Sequence, residues 1–280
     1  MSTTWDPQQY LRYAEERARP FEDLIARTGV ESPAVVVDLG CGPGNLTVTL
    51  SDRWPSAHIV GIDSSEEMIV RAGDLSRPGR LEFRAGDLTS WRPERPVDVV
   101  VCNAALHWVP GHLGLLPGLV ASLSPGGVFA FQVPANFGLP SHVLLRELSL
   151  SERWREILGP AVENGPSAHE PSEYLEVLLD SPRADRVEVW ETTYHHVLSG
   201  PDPVLDWVKA TGLRPVLEAL RAWEKEDHAG AEREFLSAYA AVLRAAYPRD
   251  TAGRTIFPFR RIFGVVQVSR DPDCGPRQPR

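Results

Sequence analysis

Asp38, Gly40, Gly42, Gly44, Asp63 and Asp87 are the residues whose types and spacing best suit the holding of a small ligand. Glycines at alternate positions strip side chains from a turn, permit positive φ and let backbone amides approach a bound molecule closely. The string V-V-V-D-L-G-C-G-P-G-N (Val35–Asn45) places that turn directly after a β-branched run. Such a run is the composition of a strand covered on both faces of a parallel sheet. A helical pattern follows from Leu46, so the turn is a strand–loop–helix junction, where open α/β sheets bind nucleotides. Asp63 closes the next strand in G-I-D-S-S. A carboxylate there can accept hydrogen bonds from both hydroxyls of a ribose, the role an acid plays about 20 residues after such a turn. Its other role would be helix capping, which Ser64 and Ser65 already offer. Asp87 follows a third strand in A-G-D-L, a common turn string when taken alone.

Other chemistries are disfavoured. The dinucleotide fingerprint G-x-G-x-x-G is not matched, because the spacing is G-x-G-x-G and position 45 is Asn. No Ser-His-Asp or Cys-His set stands out. Cys41, Cys102 and Cys274 are far apart, fit no metal spacing, and suit free thiols in a reducing cytoplasm. The net charge of −9, with arginines scattered among acids, argues against a nucleic-acid surface. No N-terminal apolar segment and no run of about 18 apolar residues calls for secretion or membrane spanning. The expectation is a cytoplasmic protein without metal, monomeric or weakly homo-oligomeric, acting on a small molecule.

Apolar runs alternating with helical patterns predict βαβ units and a parallel sheet. Strands are expected at about 34–38, 58–62, 81–85, 97–102 and 127–133, with helices at about 46–53, 66–72 and 113–123. Ser124-Pro125-Gly126-Gly127 reads as a turn between helix and strand. A helix is expected over 7–28. Beyond Val133 the alternation breaks. Helices are expected at 141–158, 172–179 and through most of 203–247, with strands at 187–198 and 261–268.

The pattern D-x-G-x-G-x-G resembles that of the class I S-adenosylmethionine (SAM) methyltransferases. The resemblance implies a Rossmann-like α/β fold: a mostly parallel seven-stranded sheet flanked by helices, its last strand antiparallel, with a helical cap. On that reading one domain has its core at about 30–136, 184–198 and 259–270. The cap covers about 137–183 and 199–258, and 271–280 is a flexible tail. The resemblance also implies that Asp38, Gly40, Gly42, Gly44 and Asn45 form the cofactor turn and that Asp63 and Ser64 take the ribose. Asp87 would meet the adenine amino group with Leu88 near the ring. Asn103 and Ala104 would lie beside the methionine half. Trp108 would pack either on the ligands or on the sheet.

Longer segments resemble the trans-aconitate 2-methyltransferases. They are Trp5–Pro20, N-A-A-L-H-W-V-P (Asn103–Pro110), L-P-S-H-V-L-L-R-E (Leu139–Glu147), W-E-T-T-Y-H-H (Trp190–His196), D-W-V-K-A-T-G-L-R-P (Asp206–Pro215) and F-R-R-I-F (Phe259–Phe263). Two positions depart from the family pattern: His195, where an aromatic is expected, and Arg260, where some members carry proline. The implied activity is methylation of one carboxylate of trans-aconitate, giving a monomethyl ester. A carboxylate is ionised at neutral pH and needs no general base, so no catalytic side chain is expected, only positioning.

The remaining carboxylates need arginine, whose guanidinium pairs with them bidentately. Arg261, taken to open the last strand, is the first candidate, and Arg214, Arg17 and Arg19 are weaker ones. Alternation along the late strand puts Tyr194 and His196 on one face and His195 on the other. Trp207 and Thr211 share a helix face and line either the pocket or the core. Two alternatives stay open: a methyltransferase acting on another small acid or a secondary metabolite, and a non-catalytic SAM-binding partner or sensor.

Overall fold

The computed structural model describes residues 14–163, 165–209, 212–225 and 229–271, and of residues 14–17 only the backbone. The start of the first helix, the Arg17 side chain, Thr211, Cys274 and the tail from 272 lie outside what is described. The chain divides into two compact units.

One unit, residues 18–134, 168–192 and 261–271, carries the sheet. The strands of the sheet are β1 (Val35–Leu39), β2 (His58–Asp63), β3 (Leu81–Ala85), β4 (Val97–Asn103), β5 (Leu123–Pro134), β6 (Ala184–Ser199) and β7 (Arg254–Val268), and of the last two this unit holds residues 184–192 and 261–268. Their order is β3-β2-β1-β4-β5-β7-β6. The pairs β1–β2, β1–β4, β2–β3 and β4–β5 are parallel, while β5–β7 is antiparallel. The valine runs explain the centre: Val36, Val99, Val100 and Val101 of β1 and β4 are fully buried, as expected of strands covered on both faces. The chain moves outward from β1 through β2 and β3, then returns to the other side of β1 with β4 and β5. That reversal between β1 and β4 opens a crevice at their carboxyl ends, the place where such sheets bind ligands.

Several boundaries differ from the sequence reading. Ser124–Gly127 lies inside β5 as an irregularity, because Val97 pairs with Leu123 while Val99 pairs with Val128. The helix expected at 113–123 is a 3₁₀ turn (His112–Leu115) followed by a short α-helix (Leu116–Ala121). β7 begins at Arg254, so Arg261 sits in mid-strand and does not open it. Residues 168–183, expected in the cap, cluster with the sheet. The helix Pro171–Leu179 carries Tyr174, whose ring centroid is 5.2 Å from that of Phe131.

The second unit, residues 135–167 and 193–260, is mostly helical. The stretch expected as one helix over 141–158 is two, Pro140–Ser149 and Arg155–Glu163. The long helical stretch from 203 resolves into Pro203–Lys209, Arg214–Glu224 and Ala231–Ala246. Trp154, Trp207, Phe235, Tyr239, Phe257 and Phe259 fill its core.

Candidate active site

The glycine turn is fastened to β2 by its own backbone. The amides of Gly40 and Cys41 both donate to the Ile62 carbonyl, at 2.7 and 3.0 Å. Gly40, Gly42 and Gly44 all have positive φ, yet they are small for different reasons. A Cβ at Gly40 would overlap that of Ala105, in the loop after β4, and one at Gly44 would lie 2.7 Å from the Phe83 ring. A Cβ at Gly42 would meet nothing within 4 Å. Of the three, Gly42 borders the open space a ligand would need.

Asp63 binds this turn directly. Its Oδ2 accepts from the Gly42 amide and its Oδ1 from the Ser65 amide, both at 2.9 Å. Helix capping falls to Ser65, whose Oγ accepts from the Met68 amide, and Ser64 is exposed. Asn45 is exposed too. Asp38 is placed differently: it is only 3% exposed, and its carboxylate accepts from the Thr47 hydroxyl at 2.6 Å. Burial pushes its pKa up to about 6, against the Thr47 hydrogen bond, and the Asp63 charge adds to the rise. Asp38 therefore braces the helix Thr47–Arg53 behind the turn. Burial also drives the Cys41 and Cys102 thiols strongly upward, leaving neither as a thiolate nucleophile.

Further round the crevice, Asp87 is exposed and accepts from the Thr89 amide at 2.8 Å, which holds its carboxyl below the usual range. Leu88 is half-buried beside it. The Gly86 amide donates to the Asp63 carbonyl, drawing this loop to the end of β2. At the end of β4, Asn103 is followed by Ala104, a non-glycine residue with a φ of 52°. Its amide donates to the Gln132 carbonyl at 2.8 Å, which helps hold a conformation that costs about 1–3 kcal/mol. Trp108 is 48% exposed, its ring tilted against that of His107.

Arg261 is 6% exposed, and its Nη1 donates to Gln132 Oε1 at 2.8 Å. Sequence reasoning missed Gln132. The available signal was a polar residue inside the apolar run V-F-A-F-Q-V at a strand's carboxyl end.

Tyr194, His196, Trp207 and Arg214 lie in the helical unit. Tyr194 and His196 share the buried face of β6 and His195 is exposed. The His196 ring stacks on Trp207 with centroids 4.5 Å apart, and Phe259 closes on both. Trp207, at 1% exposed, is a core residue. Arg214 is a surface charge: its side chain is exposed and pairs with Glu218 one helical turn on, at 2.8 Å. Arg19, in the sheet-bearing unit, is exposed on the helix Ala14–Arg27. The departure at Arg260 has a local consequence, because its backbone amide donates to the buried Asn136 Oδ1 at 2.7 Å.

Residues 36–127 match the family model described as "Methyltransferase domain". The curated "Trans-aconitate 2-methyltransferase" of Streptomyces avermitilis is 50% identical over 269 residues, covering 94% of this chain and 96% of that one. That of Azoarcus sp. is 44% identical, with 94% and 98% covered. That of Mycobacterium tuberculosis is 43% identical, with 94% and 97% covered. Among solved structures, the YcgJ protein of Bacillus subtilis superposes with a TM-score of 0.57 at 13% identity, covering 92% of this chain and all of that one. A phosphoethanolamine N-methyltransferase of Haemonchus contortus, solved with S-adenosyl-L-methionine, gives a TM-score of 0.53 at 14% identity, covering 90% and 53%. These two show likeness of fold.

Proposed function

This chain belongs to the trans-aconitate 2-methyltransferase family, and we propose that it carries the activity of that name. It would transfer a methyl group from SAM to one carboxylate of trans-aconitate, yielding a monomethyl ester and S-adenosylhomocysteine. One observation carries the proposal. The family likeness spans 94% of the chain and so includes the helical unit, whereas the general methyltransferase match ends at residue 127.

The residues present suit the donor. The Cα of Gly42 borders open space, and Asp63 offers a carboxylate to ribose hydroxyls. Asn103 Oδ1 is a buried acceptor with no partner among the described residues, suited to an ammonium group. Asp87 and Leu88 would take the adenine, with Asn45 and Ser64 at the rim and Ala104 shaping the methionine end. When bound, the sulfonium supplies a methyl group that passes to a carboxylate oxygen as the C–S bond breaks and its electron pair returns to sulfur.

The chain's own task is positioning. Orientation of the reacting groups can supply on the order of 7–11 kcal/mol, and an ionised carboxylate gives up no proton in the step. Arg261, buried on the sheet, would grip a carboxylate that does not react, and Trp108 would offer an exposed aromatic face. In the helical unit, Tyr194 and His196 are the acceptor candidates, with Trp207 as the plate that fixes the His196 ring. No helix among the described residues is long and apolar enough to cross a membrane. We place the enzyme in the cytoplasm as a monomer or weak homo-oligomer.

The test is a SAM assay over a panel of acids. Trans-aconitate should be turned over faster than cis-aconitate, citrate and isocitrate, with stoichiometric S-adenosylhomocysteine. Turnover of some other metabolite with none of trans-aconitate would refute the acceptor. SAM binding without turnover of any small acid would refute acid methylation.

A further inference from the structure

Asn103 pairs with Gln132 across β4 and β5, and Gln132 pairs with Phe263 across β5 and β7, two residues from the Pro134–Arg261 pair. Paired residues, and residues two apart along a strand, share a face of the sheet. Asn103, Gln132 and Arg261 therefore stand on one face at the carboxyl ends of β4 and β5. Gln132 is fully buried. Its oxygen is used by Arg261 Nη1, but its amide nitrogen, with two hydrogens to donate, has no partner among the described residues.

A buried donor left unpaired costs about 1–3 kcal/mol. An apolar residue would fill this strand position without that cost, so the amide implies a group that arrives in the working state. The neighbouring guanidinium narrows the choice. It is always charged, and an anion placed beside it can accept from both donors. A carboxylate has two oxygens and the geometry to do so. Glutamine also suits the position in being neutral. A glutamate would place a negative charge where the anion is to sit and repel it.

We propose that Gln132 determines acceptor specificity. Its oxygen orients the Arg261 guanidinium, and its amide hydrogens join that guanidinium in holding one non-reacting carboxylate of the acceptor. The inference rests on the acid-acceptor reading above and adds a residue and a subsite to it.

Two variants test it. Gln132→Met keeps side-chain length and removes both hydrogen-bonding functions. Gln132→Glu keeps the acceptor for Arg261 and adds a competing charge. Binding of trans-aconitate is measured by calorimetry in the presence of S-adenosylhomocysteine, alongside KM, kcat and thermal unfolding. Gln132→Met should raise Kd and KM for trans-aconitate about ten- to a hundredfold, with kcat and SAM affinity within about threefold of wild type. Gln132→Glu should fold and bind SAM yet lose acid binding further. A dicarboxylate lacking the gripped group should be bound equally by wild type and Gln132→Met.

Wild-type protein that binds no trans-aconitate would overturn the acceptor reading, and this proposal with it. Wild-type binding that is unchanged in Gln132→Met would overturn the role of Gln132 alone. A loss of SAM affinity with acid binding intact would overturn it as well, by assigning the amide to the donor.

Discussion

The Gly42 amide donates to Asp63 Oδ2 at 2.9 Å, so the carboxylate ending β2 is tied to the turn glycine that borders open space. The same carboxylate receives the Ser65 amide, which fixes both oxygens before any ligand arrives. Asp63→Asn keeps one acceptor but loses the charge and turns an NH₂ toward one of the donors. Hydrogen bonds to a charged group are worth about 1.5–3 kcal/mol each. Affinity for S-adenosylhomocysteine should therefore fall about ten- to a hundredfold by calorimetry. Wild-type affinity in this variant would remove Asp63 from the ribose role.

The turn glycines should separate folding from binding. Gly40→Ala drives a methyl into Ala105, adding overpacking of about 1–3 kcal/mol to a left-handed backbone cost of about 1–2 kcal/mol. Gly42→Ala carries only the backbone cost and projects its methyl into open space. Denaturant titration should show Gly40→Ala as the less stable variant. Calorimetry should show Gly42→Ala folded yet weakened for the cofactor. Equal stabilities would contradict the packing assigned to Gly40.

Asp38 gives a pH signature. Its carboxyl titrates near 6 in the folded protein against an ordinary value of 3.8. Between those values the folded state holds more protons than the unfolded chain, so stability falls as pH rises from about 4 to about 6. That separation corresponds to on the order of 3 kcal/mol. Asp38→Asn keeps an acceptor for Thr47 and removes the titration. Its stability, followed by urea unfolding across that window, should lose this slope relative to wild type. Parallel pH profiles for the two proteins would exclude it.

What the sequence made legible was local. The turn, Asp63 and the first four strands are each set by residues within a few positions of one another, and they appear where composition and spacing put them. The misreadings depend on partners far along the chain. Gln132 looks like an interruption in an apolar strand until β7 brings Arg261 beside it. The packing demand on Gly40 is invisible until the loop after β4 delivers Ala105 against it. The start of β7 was hidden because R-T-I-F-P-F-R contains Pro258, which weakens a strand reading. Trp207 carries no mark that separates a pocket wall from a core, and only the stacking of His196, Phe257 and Phe259 around it decides.

The departure at Arg260 should carry a measurable stability cost when reversed. Its backbone amide is the donor to Asn136 Oδ1, a side chain 1% exposed, while its carbonyl accepts from Ala135. Arg260→Pro deletes the N–H, strands a buried acceptor and sets φ near −65° within β7. The loss should be about 1–3 kcal/mol, read by chemical denaturation. A double-mutant cycle isolates the hydrogen bond. In an Asn136→Ala background the acceptor is gone, so Arg260→Pro should cost less there, leaving only its backbone term. An equal cost in both backgrounds would show that the Asn136 bond contributes nothing.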